Sequence, residues 1–133
     1  MNARLKQKLD DLIVFHEELL EDLPEKEDFM EQRLTRRGIE KTIQLIADTI
    51  IDIAYMIISE KGYSRPADGR DAITVLEKEK VLNPKLAAKI RDLVSFRNLL
   101  VHRYGIVDEK QEYENISENH QDILNFVREI KKQ

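Results

Sequence analysis

Residues 39–58 read IEKTIQLIADTIIDIAYMII, and their spacing decides the fold class. Ile39, Ile43, Ile46, Ile50, Ile53 and Ile57 recur at steps of four and three, with Ala47, Ile51, Ala54 and Ile58 as a companion row. At about 100° per residue the two rows merge into one apolar arc of roughly 160°, the face a helix turns to a core. The period of two that marks strands does not appear. The helix is expected to begin near Lys26, run to about Glu60 and stop at Gly62.

The flanking segments repeat the pattern. Leu5, Leu9, Leu12, His16 and Leu19 lay one stripe down a first helix, which Leu23-Pro24 breaks. GYSRPADGRD (62–71) is a loop punctuated by Gly62, Pro66 and Gly69, with a short helix over about 71–80 after it. Asn83-Pro84 supplies an N-cap side chain and then a proline at the first helical position, opening a helix that runs to about Arg103 and stops at Gly105. Tyr113, Ile116, His120, Ile123, Val127 and Ile130 mark the last helix. The expectation is an all-α, up-down bundle of four main helices plus one short one, a single domain over 1–133.

Composition excludes several classes. The 133 residues contain no cysteine, which removes disulfides and thiolate metal sites, and 41% hydrophobic with 36% charged residues does not fit disorder. No apolar run approaches the ~18 residues of a membrane span, and MNARLKQKLDDL lacks the apolar core of a secretory signal, so a cytoplasmic protein without membrane contact is expected. A net charge of −4 argues against a general nucleic-acid coat. Yet between Pro84 and Tyr104, Lys85, Lys89, Arg91, Arg97 and Arg103 face a single acid, Asp92. A phosphate can be met there.

The same segment holds FRNLLVHRY (96–104), where polar groups interrupt an apolar helix. With Arg97 at 0°, Leu93, Phe96, Leu99 and Leu100 fall at about 200–320°, a core face. Asn98 and His102 fall near 100° and 140°, among Ile90, Val94 and Val101 at about 20–60°. This second apolar face is expected to be covered by another subunit. Asn98 and His102, four apart, can meet directly, whereas Arg97 is five residues from His102 and off its line.

These groups suit one kind of chemistry. Histidine transfers protons near neutrality, and arginine holds phosphate through paired N–H donors. Together they match RNA transesterification, in which a 2′-OH loses a proton, a phosphorane charge is stabilised and a 5′-oxygen gains a proton. One histidine hardly fills both proton roles, and a symmetric dimer would supply two. Each residue also has a plainer reading: Arg97 as an ion-paired or snorkelling side chain, His102 as a helix-end cap. His16 and His120, on apolar stripes, read as structural. Asp48, Asp52 and Tyr55 share one helix face and read as solvated or interfacial rather than as a metal site; no metal is expected.

RNLLVHRY (97–104) resembles the Arg-x4-6-His motif of the HEPN superfamily, in the Arg-x4-His-x-Tyr form of its HepT toxin branch, and residues 46–108 are similar to that branch in the order of long helix, loop, short helix and motif helix. The resemblance implies a HEPN-like homodimer that cleaves RNA without a metal as a toxin of a type II toxin–antitoxin system. Arg97 and His102 would be the catalytic pair, with Asn98 orienting them. Tyr104 would be the hydroxyl to which the antitoxin MntA, a nucleotidyltransferase, transfers AMP. ATP is then the partner's AMP donor, and this chain is expected to need no cofactor. The alternative is a non-catalytic HEPN-type helical partner of a nucleotidyltransferase.

Overall fold

A computed structural model describes residues 1–102 and 107–133. Among the described residues the chain forms seven helices: α1 (Ala3–Asp22), α2 (Lys26–Glu31), α3 (Arg33–Lys61), α4 (Gly69–Lys78), α5 (Pro84–His102), α6 (Glu109–Asn119) and α7 (Gln121–Lys131). The all-α expectation holds. α3 is the central element, packed against α1, α4 and α5. It is long and apolar enough to cross a membrane by length and composition, but its isoleucines are the core of the bundle.

Helix ends form where the sequence provides caps. The Asn2 side chain accepts from the Leu5 N–H at 2.7 Å, Asp68 accepts from Asp71 at 2.8 Å, and Asn83 accepts from Leu86 at 2.8 Å. Gly62 closes α3 at φ +68°, and the Tyr63 N–H reaches back to the Ile58 carbonyl at 3.0 Å. Gly69 has a second reason to be glycine. A Cβ there would stand 2.9 Å from Ile51 Cδ1, so its absence lets α4 start close against α3.

Two expected helices are each divided. The helix expected from Lys26 to Glu60 breaks at Gln32, whose φ and ψ of −94° and 90° leave the helical region. The break turns α2 so that Phe29 is buried and its ring centroid lies 5.3 Å from that of Tyr113 on α6. Arg36 donates to the carbonyls of Phe29 and Met30 at 3.0 and 2.9 Å, satisfying acceptors that the break exposes. The last helix divides at His120 into α6 and α7. Neither break has a glycine or proline to announce it.

The buried side of α5 also differs from expectation. Leu86, Ala87, Ile90 and Val94 are buried inside the chain; of the expected core face Leu100 is buried too, while Leu93, Phe96 and Leu99 are only partly covered. α5 packs on α3, α4 and α7, which places the Ile90–Val94 row inward. The face expected to need a second subunit is therefore covered by the chain's own helices. Val101, 39% exposed, is the member of that row left open.

Candidate active site

The turn of α5 against α3 determines where Arg97 goes. At about 100° per residue it lies almost in line with Ile90, seven residues earlier, and so on the side facing α3. There its Nε donates to Asp48 Oδ1 at 2.7 Å, and its Nη1 donates to the Asn98 side-chain oxygen at 3.1 Å. Arg97 is 26% exposed and Asp48 37%, so the pair sits at the rim of the core, open to solvent on one side. Of the five N–H donors of a guanidinium, these two bonds use two. The rest make no hydrogen bond among the described residues.

Asp48 is the participant that sequence spacing did not connect to Arg97. It was grouped with Asp52 and Tyr55 on one helix face, which holds, but the two aspartates diverge. Asp52 pairs with Lys8 of α1 at 3.1 Å, whereas Asp48 fixes the arginine. The available signal was a carboxylate next to Ala47 at the border of the apolar arc. Which cation it would meet depended on the packing of α3 on α5. Among the described residues, no three His, Asp or Glu side chains gather as a metal site.

Asn98 and His102 complete the described part of the site. Asn98 turns its side-chain oxygen to Arg97, so these sequence neighbours are coupled directly. His102 is exposed and is the last described residue of α5. Tyr104, with Arg103 and Gly105, lies outside the described residues. α5 is held in place by its neighbour: Arg91 pairs with Glu77 of α4 at 2.6 Å, and Arg70 of α4 donates to the Arg91 carbonyl at 3.1 Å and to the Ser95 hydroxyl.

A second polar cluster joins α1, α3 and α6. His16 Nε2 and His120 Nδ1 are 3.1 Å apart, so one ring donates and the other accepts, and the accepting ring is neutral. This agrees with the structural reading of both. Burial lowers the His16 pKa from its ordinary 6.5, and the nearby His120 lowers it further. Glu112 is 4% exposed, and burial first, then the facing Glu40 carboxyl, pushes its pKa up to about 9. Neither Glu112 oxygen accepts a hydrogen bond from a conventional donor among the described residues. With Glu40 within hydrogen-bonding reach, a proton between the two carboxyls relieves the repulsion.

An all-helical bundle with a solvent-open arginine, asparagine and histidine on one helix end defines a class before it defines a protein. The Ribonuclease HepT-like family matches residues 9–130, and the chain belongs to that family. It is 34% identical over 91 residues to the tRNA nuclease HepT of Aphanizomenon flos-aquae, a match that takes in 68% of this chain and 62% of that protein's length. The tri-AMPylated HEPN toxin of Shewanella oneidensis, solved in complex with its MNT antitoxin, superposes with a TM-score of 0.95 over the full length of both chains at 20% identity. The Bacillus subtilis cytosolic protein YutE, of unknown function, superposes at 0.78 over 96% of this chain and 88% of its own, also at 20% identity. These two structures share the fold.

Proposed function

We propose that this chain is a ribonuclease toxin of a type II toxin–antitoxin pair, acting in the cytoplasm on RNA at a cleft formed by two copies. The observation that carries the reading is the Arg97 guanidinium, fixed by Asp48 and Asn98 with donors to spare, five residues before His102 on the same helix. Such a guanidinium is pre-oriented for a phosphodiester and needs little reorganisation when charge develops.

In the proposed reaction the imidazole of His102 from one copy takes the 2′-OH proton as the 2′-oxygen bonds to phosphorus. Arg97 stabilises the added charge on the phosphoryl oxygens. The bond from phosphorus to the 5′-oxygen then breaks, and the imidazolium of the second copy's His102 gives its proton to that oxygen. The products are a 2′,3′-cyclic phosphate and a 5′-hydroxyl, with no metal and no cofactor in the proton balance. Asn98 keeps Arg97 in register.

The same reading makes Tyr104 the point of control. A nucleotidyltransferase antitoxin of the MntA type would place AMP from ATP on its hydroxyl, setting phosphate charge and bulk seven residues from Arg97 in sequence and two from His102. Incubation with RNA in EDTA, with end analysis, tests the catalytic claim: cleavage to cyclic phosphate ends is expected from the wild type and not from His102→Ala. Intact RNA from a folded wild-type dimer would leave the alternative, a non-catalytic partner of the transferase. Mass spectrometry after incubation with the antitoxin and ATP should show added AMP on the wild type and none on Tyr104→Phe. Equal labelling of the Phe variant would remove Tyr104 from the role.

A further inference from the structure

Between α5 and the α6–α7 pair lies a cavity of about 220 Å³. Its wall is largely hydrocarbon, from residues such as Ile43, Ile46, Ile90, Ile116 and Ile123, and Glu112 is set among them. A packing defect is lined by apolar groups alone, because a carboxyl placed against hydrocarbon without a donor costs free energy. Glu112 is buried and lines the space, and the polar side chain within its reach is another acid, Glu40, so no cationic or neutral N–H donor satisfies it among the described residues. A cavity of about 150 Å³ holds a benzene molecule, so this one has room for a stem of about five carbons and a head group.

The surrounding charge selects the head group. Glu40 and Arg36 of α3 and Glu109 of α6 act on Glu112. Around the cavity stand Asp92 and Asp122 against Lys89, with His120 nearby. Lys89 is engaged at the mouth, its Nζ donating to Asn119 Oδ1 at 3.2 Å. Acids outnumber bases, and the most buried polar residue of the lining is an acid. We propose that the cavity is a binding site for a small organic cation, a primary ammonium on an apolar stem, with the head group against the Glu112 carboxyl. The site is separate from Arg97 and His102, and the proposal stands whether or not the chain cleaves RNA.

The chemistry of binding provides its own signature. Near pH 7.5 the buried carboxyl holds its proton in the free protein, and an arriving ammonium stabilises the carboxylate, so the proton leaves to solvent as the ion pair forms. Calorimetric titration of the full chain with n-pentylammonium, in two buffers of different ionisation enthalpy, reads that proton directly. Saturable binding is expected with Kd between about 10 μM and 1 mM and release of approaching one proton, together with shifts of the Ile90, Ile116 and Ile123 methyl resonances. Glu112→Gln, which keeps the side-chain shape, should weaken binding at least tenfold and abolish proton release, and 1-pentanol should release none. The proposal is overturned by absence of saturation up to about 10 mM, by equal affinity in the folded Gln variant, by binding without proton release, or by methyl shifts confined elsewhere.

Discussion

The two polar clusters of this bundle use similar residue types in opposite ways. At the end of α5, Asp48 and Arg97 form an ion pair that is partly open to water, and Asn98 extends it. In the other cluster, Glu112 is buried beside another carboxyl, and His16 is buried against His120. The first pair meets water on one side and an opposite charge on the other. Burial and like neighbours drive the second group toward neutrality. A carboxylate is thus a positioning device at the rim and a buried acid in the interior. Environment, not residue type, sets the role.

Substitutions can break this contrast at each of its points. The largest effect is expected at the open end, where Arg97→Ala or His102→Ala should lower RNA cleavage by about 10²–10⁴-fold with under about 1 kcal/mol change in unfolding free energy, read by end-labelled RNA assay and urea denaturation. Unaltered cleavage in both variants would remove them from the chemistry.

The next effect lies in the interior and has the opposite sign. The raised Glu112 pKa means that the native state holds a proton which the unfolded chain loses above about pH 4.5. Its stabilising contribution is complete below that pH and declines as pH rises toward about 9. Glu112→Gln should therefore stabilise the protein by about 2–4 kcal/mol at pH 8 and by close to nothing at pH 4, measured by denaturant titration at the two pH values. A pH-independent difference would place the cause in packing.

Smaller effects sharpen the comparison. Asp48→Asn should lower cleavage about tenfold while stability moves by under about 1 kcal/mol, because an exposed ion pair positions more than it stabilises. Loss of stability without loss of activity would make Asp48 structural only. His16 has a lowered pKa, so the stability it supports is complete above pH 6.5 and falls as pH drops through its folded value. His16→Gln should flatten that acid-side decline below pH 6.5, seen in thermal melts across the range; an unchanged decline would remove His16 from it.

How much of this could be read beforehand differs by element. The isoleucine rows of α3, the leucine stripe of α1 and the Asn83-Pro84 start of α5 were legible because periodicity and capping are local. The divisions at Gln32 and His120 were not: the first redirects a helix to bury Phe29 against Tyr113, and the second falls where His120 meets His16, contacts that no local spacing announces. That α5 turns Ile90 and Val94 inward beside Leu100 escapes the sequence for the same reason. Its two apolar sides are nearly equal in sequence, and only packing on α3 and α4 chose between them.

The sequence alone determined an all-helical chain, its main stops and starts, and a segment where Arg97, Asn98 and His102 stand together, because hydrophobic period, caps and short-range spacing act within a few residues. Tertiary structure alone decided that Asp48 holds Arg97, that Ile90 and Val94 are core, and that Glu112 is buried as an acid in a cavity wall. Each of those outcomes depends on groups from different helices meeting in a medium of low polarity. The sequence sets what each group can do, and the packing sets what surrounds it.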